Sequence, residues 1–354
     1  MKITMVDFVN SPGHKNLYLK ILSLLNKNFD MDVIVKKGFY NQIEKELLKG
    51  VNFIEIPFSH LDKKGSIISR IRIIIFMILS RLRLNIAKTD LILVLGFETI
   101  TFSLLKHLFP KFKTFLFHHH NLDELDNPLK KILFSTFKNQ YNHLTLDKFI
   151  SNNLVSFFKI KPNLAHFINH PIKQNTLLKR INNNKTINIL SLTNSNDENL
   201  IKQLIDLDKS GHLKEKAFIF YIKSSYINYK SNNLTVSSYY LSKDEYEKLL
   251  KDSDYSILLL PSSFNNRISG VMIDSLSYNL PIIAPNIISI KEFNIRYPSI
   301  VYTFNNIRDI LSIELNNFRN INMVDFLNFQ NNHSDSFVEN QLKQIFINKF
   351  TKNN

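Results

Sequence analysis

The stretch "NNRISGVMIDSLSYNLPIIAP", residues 265–285, holds an arginine, a serine–glycine step and an aspartate within eight positions. Its pattern is a short loop, a helix and a buried strand opened by Pro281. Arg267, Ser269 and Gly270 fall where the helix begins, and a helix start presents unpaired N–H groups and the positive end of the dipole. Arg267 adds a planar fork of donors that matches phosphate oxygens. Asp274, one turn further on, supplies a carboxylate that accepts hydroxyl protons. An anion cradle with a hydroxyl hook beside it is the chemistry these residue types allow; a surface arginine and a solvent-facing helix aspartate are the structural alternatives.

Two other stretches carry reactive side chains. His118-His119-His120 closes the strand pattern "KTFLF", and strand alternation places His118 and His120 on one face and His119 on the other. Spacing to further ligands gives no support for a metal there. Ser11-Pro12-Gly13-His14 forms a breaker loop after the first β-branched run, readable as an ordinary strand-to-helix turn.

The elements that must position these groups alternate between strand and helix along the chain. "KITMVDFV", "DMDVIVKKG", "VNFIEIPF", "DLILVLGFE", "KTFLFHHH", "HLTLDK" and "NLAHFINHPI" read as strands, with helical segments such as "NLYLKILSLLNK" between some of them. A polar, Asn-rich joint spans 173–185, after which the alternation restarts. Ser242 with Glu245 marks a helix start as a capping box, and Gly211 closes the helix "ENLIKQLIDLDKSG". The expected fold class is α/β: two Rossmann-like domains, residues 1–172 and 186–320, facing across a cleft at the carboxyl ends of their strands. Helices over 321–354 trail them and are read as returning to the N-terminal domain.

The run from Tyr239 to Pro285 resembles the donor half of GT-B glycosyltransferases, the large family-four group in particular. It matches in Ser242, Glu245, Asp254, Pro261-Ser262, Asp274 and Pro281-Ile282-Ile283-Ala284. The resemblance implies a nucleotide-sugar donor and no cofactor. It makes Arg267, Ser269 and Gly270 the diphosphate cradle and Asp274 the ribose hook. The family's Glu-x7-Glu becomes Asn266 and Asp274, its Gly-x-Gly after the next strand reads Lys223-Ser224-Ser225, and the usual basic pair is missing from "SLTNSNDEN". Arg267 and Lys223 are then the cations left to neutralise the leaving diphosphate, with Asn266 facing the transferred sugar. His120-Asn121 aligns with the family's His-Asp, so His120, and His118 on the same face, become the catalytic candidates. Gly13 and His14 line the acceptor side. The implied enzyme is a retaining, metal-independent transferase of capsule or O-antigen type, acting on a glycan or polyprenyl-diphosphate-linked acceptor. A non-catalytic glycosyltransferase-like subunit and a nucleotide-sugar epimerase are the competing readings.

Composition bounds these readings. The 354 residues include no cysteine, which excludes a thiol nucleophile, disulfides and thiolate metal sites. A net charge of +15 attracts anions such as nucleotides and lipid headgroups; no nucleic-acid-binding pattern accompanies it. The run "SRIRIIIFMILSRLRL" falls short of the ~20 apolar residues that span a bilayer. On its helix, Ile71, Ile75, Ile78 and Leu82 form the expected core face. Ile73, Phe76, Met77 and Leu84 lie opposite, between Arg70, Arg72, Arg81 and Arg83, and are either buried too or applied to an anionic leaflet. The chain reads as a cytoplasmic protein that is peripheral on the inner face of the plasma membrane.

Overall fold

The computed structural model describes residues 1–57, 67–172, 186–238, 241–313 and 323–351. The joint expected over 173–185 lies outside the described residues. Two compact units emerge, one formed by Met1–Pro171 with Asp335–Asn354 and the other by Ile172–Ser334.

Unit 1 is built on β1 (Lys2–Asp7), β2 (Asp30–Lys36), β3 (Asn52–Ile56), β4 (Leu91–Gly96), β5 (Thr114–Phe117), β6 (Asn142–Thr145) and β7 (Ala165–Phe167). Its helices are α1 (Lys15–Leu25), α2 (Gln42–Glu46), α3 (Ile67–Arg83), α4 (Thr99–Leu105), α5 (Pro128–Ser135) and α6 (Lys148–Ser156). Unit 2 contains β8 (Ile187–Ser191), β9 (Phe218–Lys223), β10 (Tyr229–Lys230), β11 (Leu234–Ser237), β12 (Tyr255–Ile257), β13 (Ile282–Pro285) and β14 (Val301–Phe304). With them go α7 (Glu198–Lys209), α8 (His212–Glu215), α9 (Lys243–Asp252), α10 (Gly270–Ser277), α11 (Ile288–Arg296) and α12 (Met323–Asn332); α13 (Asp335–Thr351) follows.

The sheet orders are β3-β2-β1-β4-β5-β6-β7 and β10-β11-β9-β8-β12-β13-β14. Every pairing is parallel except β10 with β11 at one edge. Parallel strands covered on both faces need continuous apolar runs, and β4, "LILVLG", is buried at every residue. Strand order reverses between β1 and β4 in unit 1 and between β8 and β12 in unit 2. Such switch points leave a crevice outside the carboxyl ends of the strands, where open α/β sheets take ligands. The two Rossmann-like domains expected from the alternation are therefore present.

Local signals hold where they were sharp. Ser242 accepts the Glu245 N–H while the Glu245 carboxylate accepts the Ser242 N–H at 2.7 Å, a complete capping box. Gly211 follows α7 at φ +84°, the left-handed conformation that glycine reaches without strain.

The trailing helices divide between the units. Helix α12 belongs to unit 2, where Asp325 accepts the backbone and hydroxyl protons of Ser299. Helix α13 joins unit 1, burying Val338, Leu342 and Phe346 at a four-residue spacing. Asp335 meets Lys20 at 2.6 Å, and Glu339 meets Lys27 at 3.1 Å and Asn28 at 2.7 Å.

Helix α3 corrects an expectation. Ile73, Phe76, Met77, Ser80 and Leu84 are buried, whereas Ile71, Ile75, Ile78 and Leu82 are exposed. Both faces are aliphatic, so hydrophobic spacing could not choose between them. The helix turns the side bearing its one aromatic ring and its thioether inward.

Phe346 packs edge-on against Phe115 at 5.0 Å and near Phe29 at 6.3 Å. Phe346→Ala should destabilise the protein by about 3–5 kcal/mol in urea unfolding, the cost of an emptied aromatic site. A loss under about 1 kcal/mol would show that α13 contributes no core to unit 1.

Candidate functional site

In unit 2 the crevice floor is set by one buried amide. Asn196, in the loop after β8, accepts the Ser191 hydroxyl at 3.0 Å and the Leu259 N–H at 3.1 Å. Its Nδ2 donates to the Lys223 carbonyl at 2.8 Å. One side chain thus ties the ends of β8 and β9 to the segment after β12. Beside it the Glu198 carboxylate accepts the Ser224 hydroxyl at 2.8 Å and the Ser225 N–H at 3.2 Å. The Ser224-Ser225 loop after β9 is therefore held by a carboxylate. Lys223 precedes it, and burial lowers the pKa of its ammonium.

The segment between β12 and α10 is anchored to the start of α11. Ser289 donates to the Phe264 carbonyl at 2.7 Å, and Asn265 accepts the Ile288 N–H at 3.3 Å. Phe264 is buried, and the guanidinium of Arg267 lies over its ring, 3.7 Å from the centroid. A cation on an aromatic face gains attraction and loses rotamer freedom. Asn266, half-buried, sits in the same loop.

Ser269 caps α10, its hydroxyl oxygen taking the Met272 N–H at 3.4 Å. Its side chain is committed to the helix, so the donors left at this helix start are backbone N–H groups. A Cβ built on Gly270 would meet nothing within 4 Å, and its φ is unexceptional. The fold does not require a glycine at 270; its absent side chain leaves space in front of the first turn. Asp274 is exposed and four residues on, on the same helical face as Gly270. It accepts the Tyr246 hydroxyl at 2.9 Å. Burial, then the charge of Asp274, push the Tyr246 phenol far above its ordinary pKa, so it stays a donor.

In unit 1 the histidines do not follow strand alternation, because β5 ends at Phe117. His118 turns inward, its Nε2 2.8 Å from Nδ1 of buried His143, whose own Nε2 reaches the Lys138 carbonyl at 2.7 Å. Burial and then His143 hold His118 well below the usual imidazole range, and burial brings His143 down to about 4. A neutral imidazole locked in the interior is a structural part, so His118 leaves the set of groups able to touch substrate. His119 stacks on His14 with centroids 4.2 Å apart, and His120 stands 6.0 Å from the same ring. His119 and His120 therefore gather at His14. Gly13, exposed, precedes it. Half-exposed His120 also lies 3.5 Å from Glu124, which pairs with Lys130 at 2.6 Å. Among the described residues no group of three or more metal-capable side chains forms.

The sequence reading missed Asp7 at the end of β1. It is buried, its Oδ1 accepting the N–H groups of Val9 at 3.0 Å and Asn10 at 2.8 Å, while Oδ2 has no hydrogen-bond partner. A side chain on Gly96, its neighbour across the switch point, would collide with it. Asn10 adopts φ +50° and ties the loop from both sides, donating to the Asp7 carbonyl at 2.7 Å and accepting the Lys36 N–H at 3.1 Å. The loop that Asp7 and Asn10 brace leads directly to His14.

No protein-family model matches the chain, and no curated protein matches it in sequence. Solved structures do match along its length. A glycosyltransferase from Rickettsia africae superposes with a TM-score of 0.63 at 12% identity, covering 100% of this chain and 99% of that one. Sucrose-phosphate synthase from Thermosynechococcus elongatus gives 0.70 at 10%, with 99% and 100% covered. Anabaena HepE in complex with UDP-glucose gives 0.67 at 10%, with 98% and 100% covered. The fold is the two-Rossmann-domain GT-B fold of glycosyltransferases.

Burial raises the Asp7 carboxyl from its ordinary 3.8 to about 7, against the pull of its two backbone donors. The folded chain then holds this proton more tightly than the unfolded chain. The contribution is complete below about pH 4 and is lost as pH rises through 7, for a total of order 4 kcal/mol. Asp7→Asn keeps an oxygen for the Val9 and Asn10 N–H groups and removes the charge. It should be no more stable than wild type at pH 4, and more stable at pH 8, in urea unfolding. Equal pH slopes for the two proteins would show that Asp7 titrates normally.

Proposed function

We propose that the chain is a glycosyltransferase that takes a sugar from a nucleoside-diphosphate donor held by unit 2. The observation that carries this reading is the start of α10. Open space over Gly270 faces the first-turn N–H groups, Arg267 is braced on Phe264 beside it, and Asp274 follows one turn on the same face. A diphosphate at the helix start would meet partial positive charge and a guanidinium fork. The ribose hydroxyls would then donate to Asp274, which Tyr246 holds in place. HepE, crystallised with UDP-glucose, lends the reading support through a shared fold.

In the reaction the bond between the sugar's anomeric carbon and the diphosphate oxygen breaks, a bond from that carbon to an acceptor hydroxyl oxygen forms with release of the hydroxyl proton, and the nucleoside diphosphate leaves with added negative charge. Arg267, Lys223 and the α10 dipole are the groups placed in sequence to stabilise that charge, which lowers the barrier because it grows in the transition state. This neutralisation calls on no metal, in keeping with the retaining, metal-independent chemistry that the resemblance implies. His120, half-exposed beside Glu124, is the imidazole assigned to the reacting sugar, and His14 with Gly13 the acceptor side. The acceptor we assign is a glycan on a polyprenyl-diphosphate carrier, in cell-surface polysaccharide synthesis of capsule or O-antigen type at the cytoplasmic face of the membrane.

Purified protein given UDP-, GDP- and dTDP-sugars with a carrier-linked acceptor should release one nucleoside diphosphate. Asp274→Ala should weaken binding of that nucleotide about tenfold or more, since a charged hydrogen bond is worth about 1.5–3 kcal/mol. Gly270→Val should leave the unfolding midpoint nearly in place, because a Cβ there meets nothing within 4 Å, yet weaken the nucleotide as strongly. If wild type binds no nucleoside diphosphate and releases none, the reading fails; if it binds but Gly270→Val binds as well, the cradle lies elsewhere.

A further inference from the structure

The outer face of α3 is aliphatic without interruption. Ile67, Ile68, Ile71, Ile75, Ile78 and Leu82 are all exposed, from 41% at Ile75 to 75% at Leu82. Helical spacing gathers them into one stripe along the 17-residue helix. A soluble helix ordinarily shows charge on that side, and a contiguous exposed apolar stripe marks a docking surface. Its edges are cationic. Arg72 and Arg83 follow one edge, Arg83 exposed, while Arg70 and Arg81 follow the other. Arg81 reaches back to the Leu108 carbonyl at 2.9 Å, and Arg70 lies 3.7 Å from Glu98. No acidic residue occurs anywhere in α3. Helix α4 packs beside α3 and α5 beside α4, and both expose further aliphatic side chains, Leu104, Leu129 and Ile132.

We infer that α3 is an in-plane membrane helix, which lays Ile71, Ile75, Ile78 and Leu82 into the headgroup–acyl boundary of an anionic leaflet. Charge complementarity selects this occupant. A second copy of this chain would bring the same arginines and a net charge of +15 against the first, whereas anionic headgroups meet them with opposite sign. No helix among the described residues is long and apolar enough to cross a membrane, so the contact is peripheral. This deepens the membrane-linked acceptor of the proposed function. It reverses the helix, since the face that enters the lipid is the one hydrophobic spacing assigned to the core, and Phe76 and Met77 stay inside.

The test is sedimentation of the full chain with vesicles of phosphatidylcholine containing about one-third phosphatidylglycerol, against pure phosphatidylcholine. Wild type should pellet with the anionic vesicles, and added salt should weaken the binding. The double variant Ile71→Glu/Ile78→Glu should lose about tenfold or more of that affinity. Because both side chains are exposed, its unfolding midpoint and its nucleoside-diphosphate affinity should match wild type. Arg72→Glu/Arg83→Glu provides a second, independent variant, expected to lose affinity for anionic vesicles selectively. Wild-type chain that stays in the supernatant overturns the inference, as does equal pelleting of wild type and Ile71→Glu/Ile78→Glu. A dimer that Ile71→Glu/Ile78→Glu dissociates, without vesicle binding, would assign the face to a second copy. Loss of vesicle binding with nucleotide binding intact leaves the transferase reading standing; intact vesicle binding in a protein that binds no nucleotide leaves the docking face standing.

Discussion

Both units depend on satisfying backbone groups where parallel strands stop. A strand leaving the sheet takes its N–H and C=O groups out of the ladder while still close to the core, and unpaired buried groups cost free energy. In unit 2 the Asn196 amide meets two of these groups at once, the Lys223 carbonyl and the Leu259 N–H, and accepts the Ser191 hydroxyl as well. In unit 1 Asp7 and Asn10 do the same for the loop after β1, with Asn10 in a left-handed conformation that its short amide tolerates. These crosspieces lie at the points where strand order reverses. The loops that end there are consequently fixed in shape, which a binding surface needs.

The two crosspieces differ in electrostatics. Asn196 is neutral and spends both ends of its amide, so unit 2's floor does not respond to pH through it. Asp7 has one carboxyl oxygen satisfied by two N–H groups and one without a partner, in a site where burial outweighs the donors. The proton on Asp7 is the chain's answer to that imbalance. Tyr246 shows the opposite arrangement: a half-buried phenol sends its proton out to an exposed carboxylate, and the carboxylate gains a fixed direction.

Sheet alternation, the Ser242–Glu245 capping box and the left-handed Gly211 were legible because each depends on residues a few positions apart. The GT-B architecture was legible from two rounds of the same alternation together with the family-like run ending at Pro285. Features set by long-range packing were not. His118 pairs with His143, 25 residues on, and nothing local separates it from His119 or His120. Asp7 looked like any residue in a β-branched run, although its position immediately before a breaker loop was a usable signal. Helix α3 was misread since both of its faces carry large apolar side chains, and only the surrounding elements decide which one they cover. At α10, the sequence placed the helix start at Gly270, yet it could not reveal that Ser269 is committed to capping or that Tyr246 reaches Asp274.

Charge balance at the proposed donor site ties these observations together. Where the glycosyltransferases that its sequence resembles carry a first acid and a basic pair, this chain has an amide at Asn266, a guanidinium laid on Phe264 and an ammonium on Lys223 that partial burial makes costlier to keep charged. Removing a carboxylate reduces the cationic charge needed to hold a diphosphate, so the two departures compensate in sign. The penalty on Lys223 points the same way. A partly buried ammonium such as that of Lys223 is helped to keep its charge by a nearby anion, as a bound diphosphate would be under the proposed reading. An interaction that strengthens with accumulating negative charge acts more on the departing diphosphate than on the intact donor, which is the condition for catalysis over mere binding.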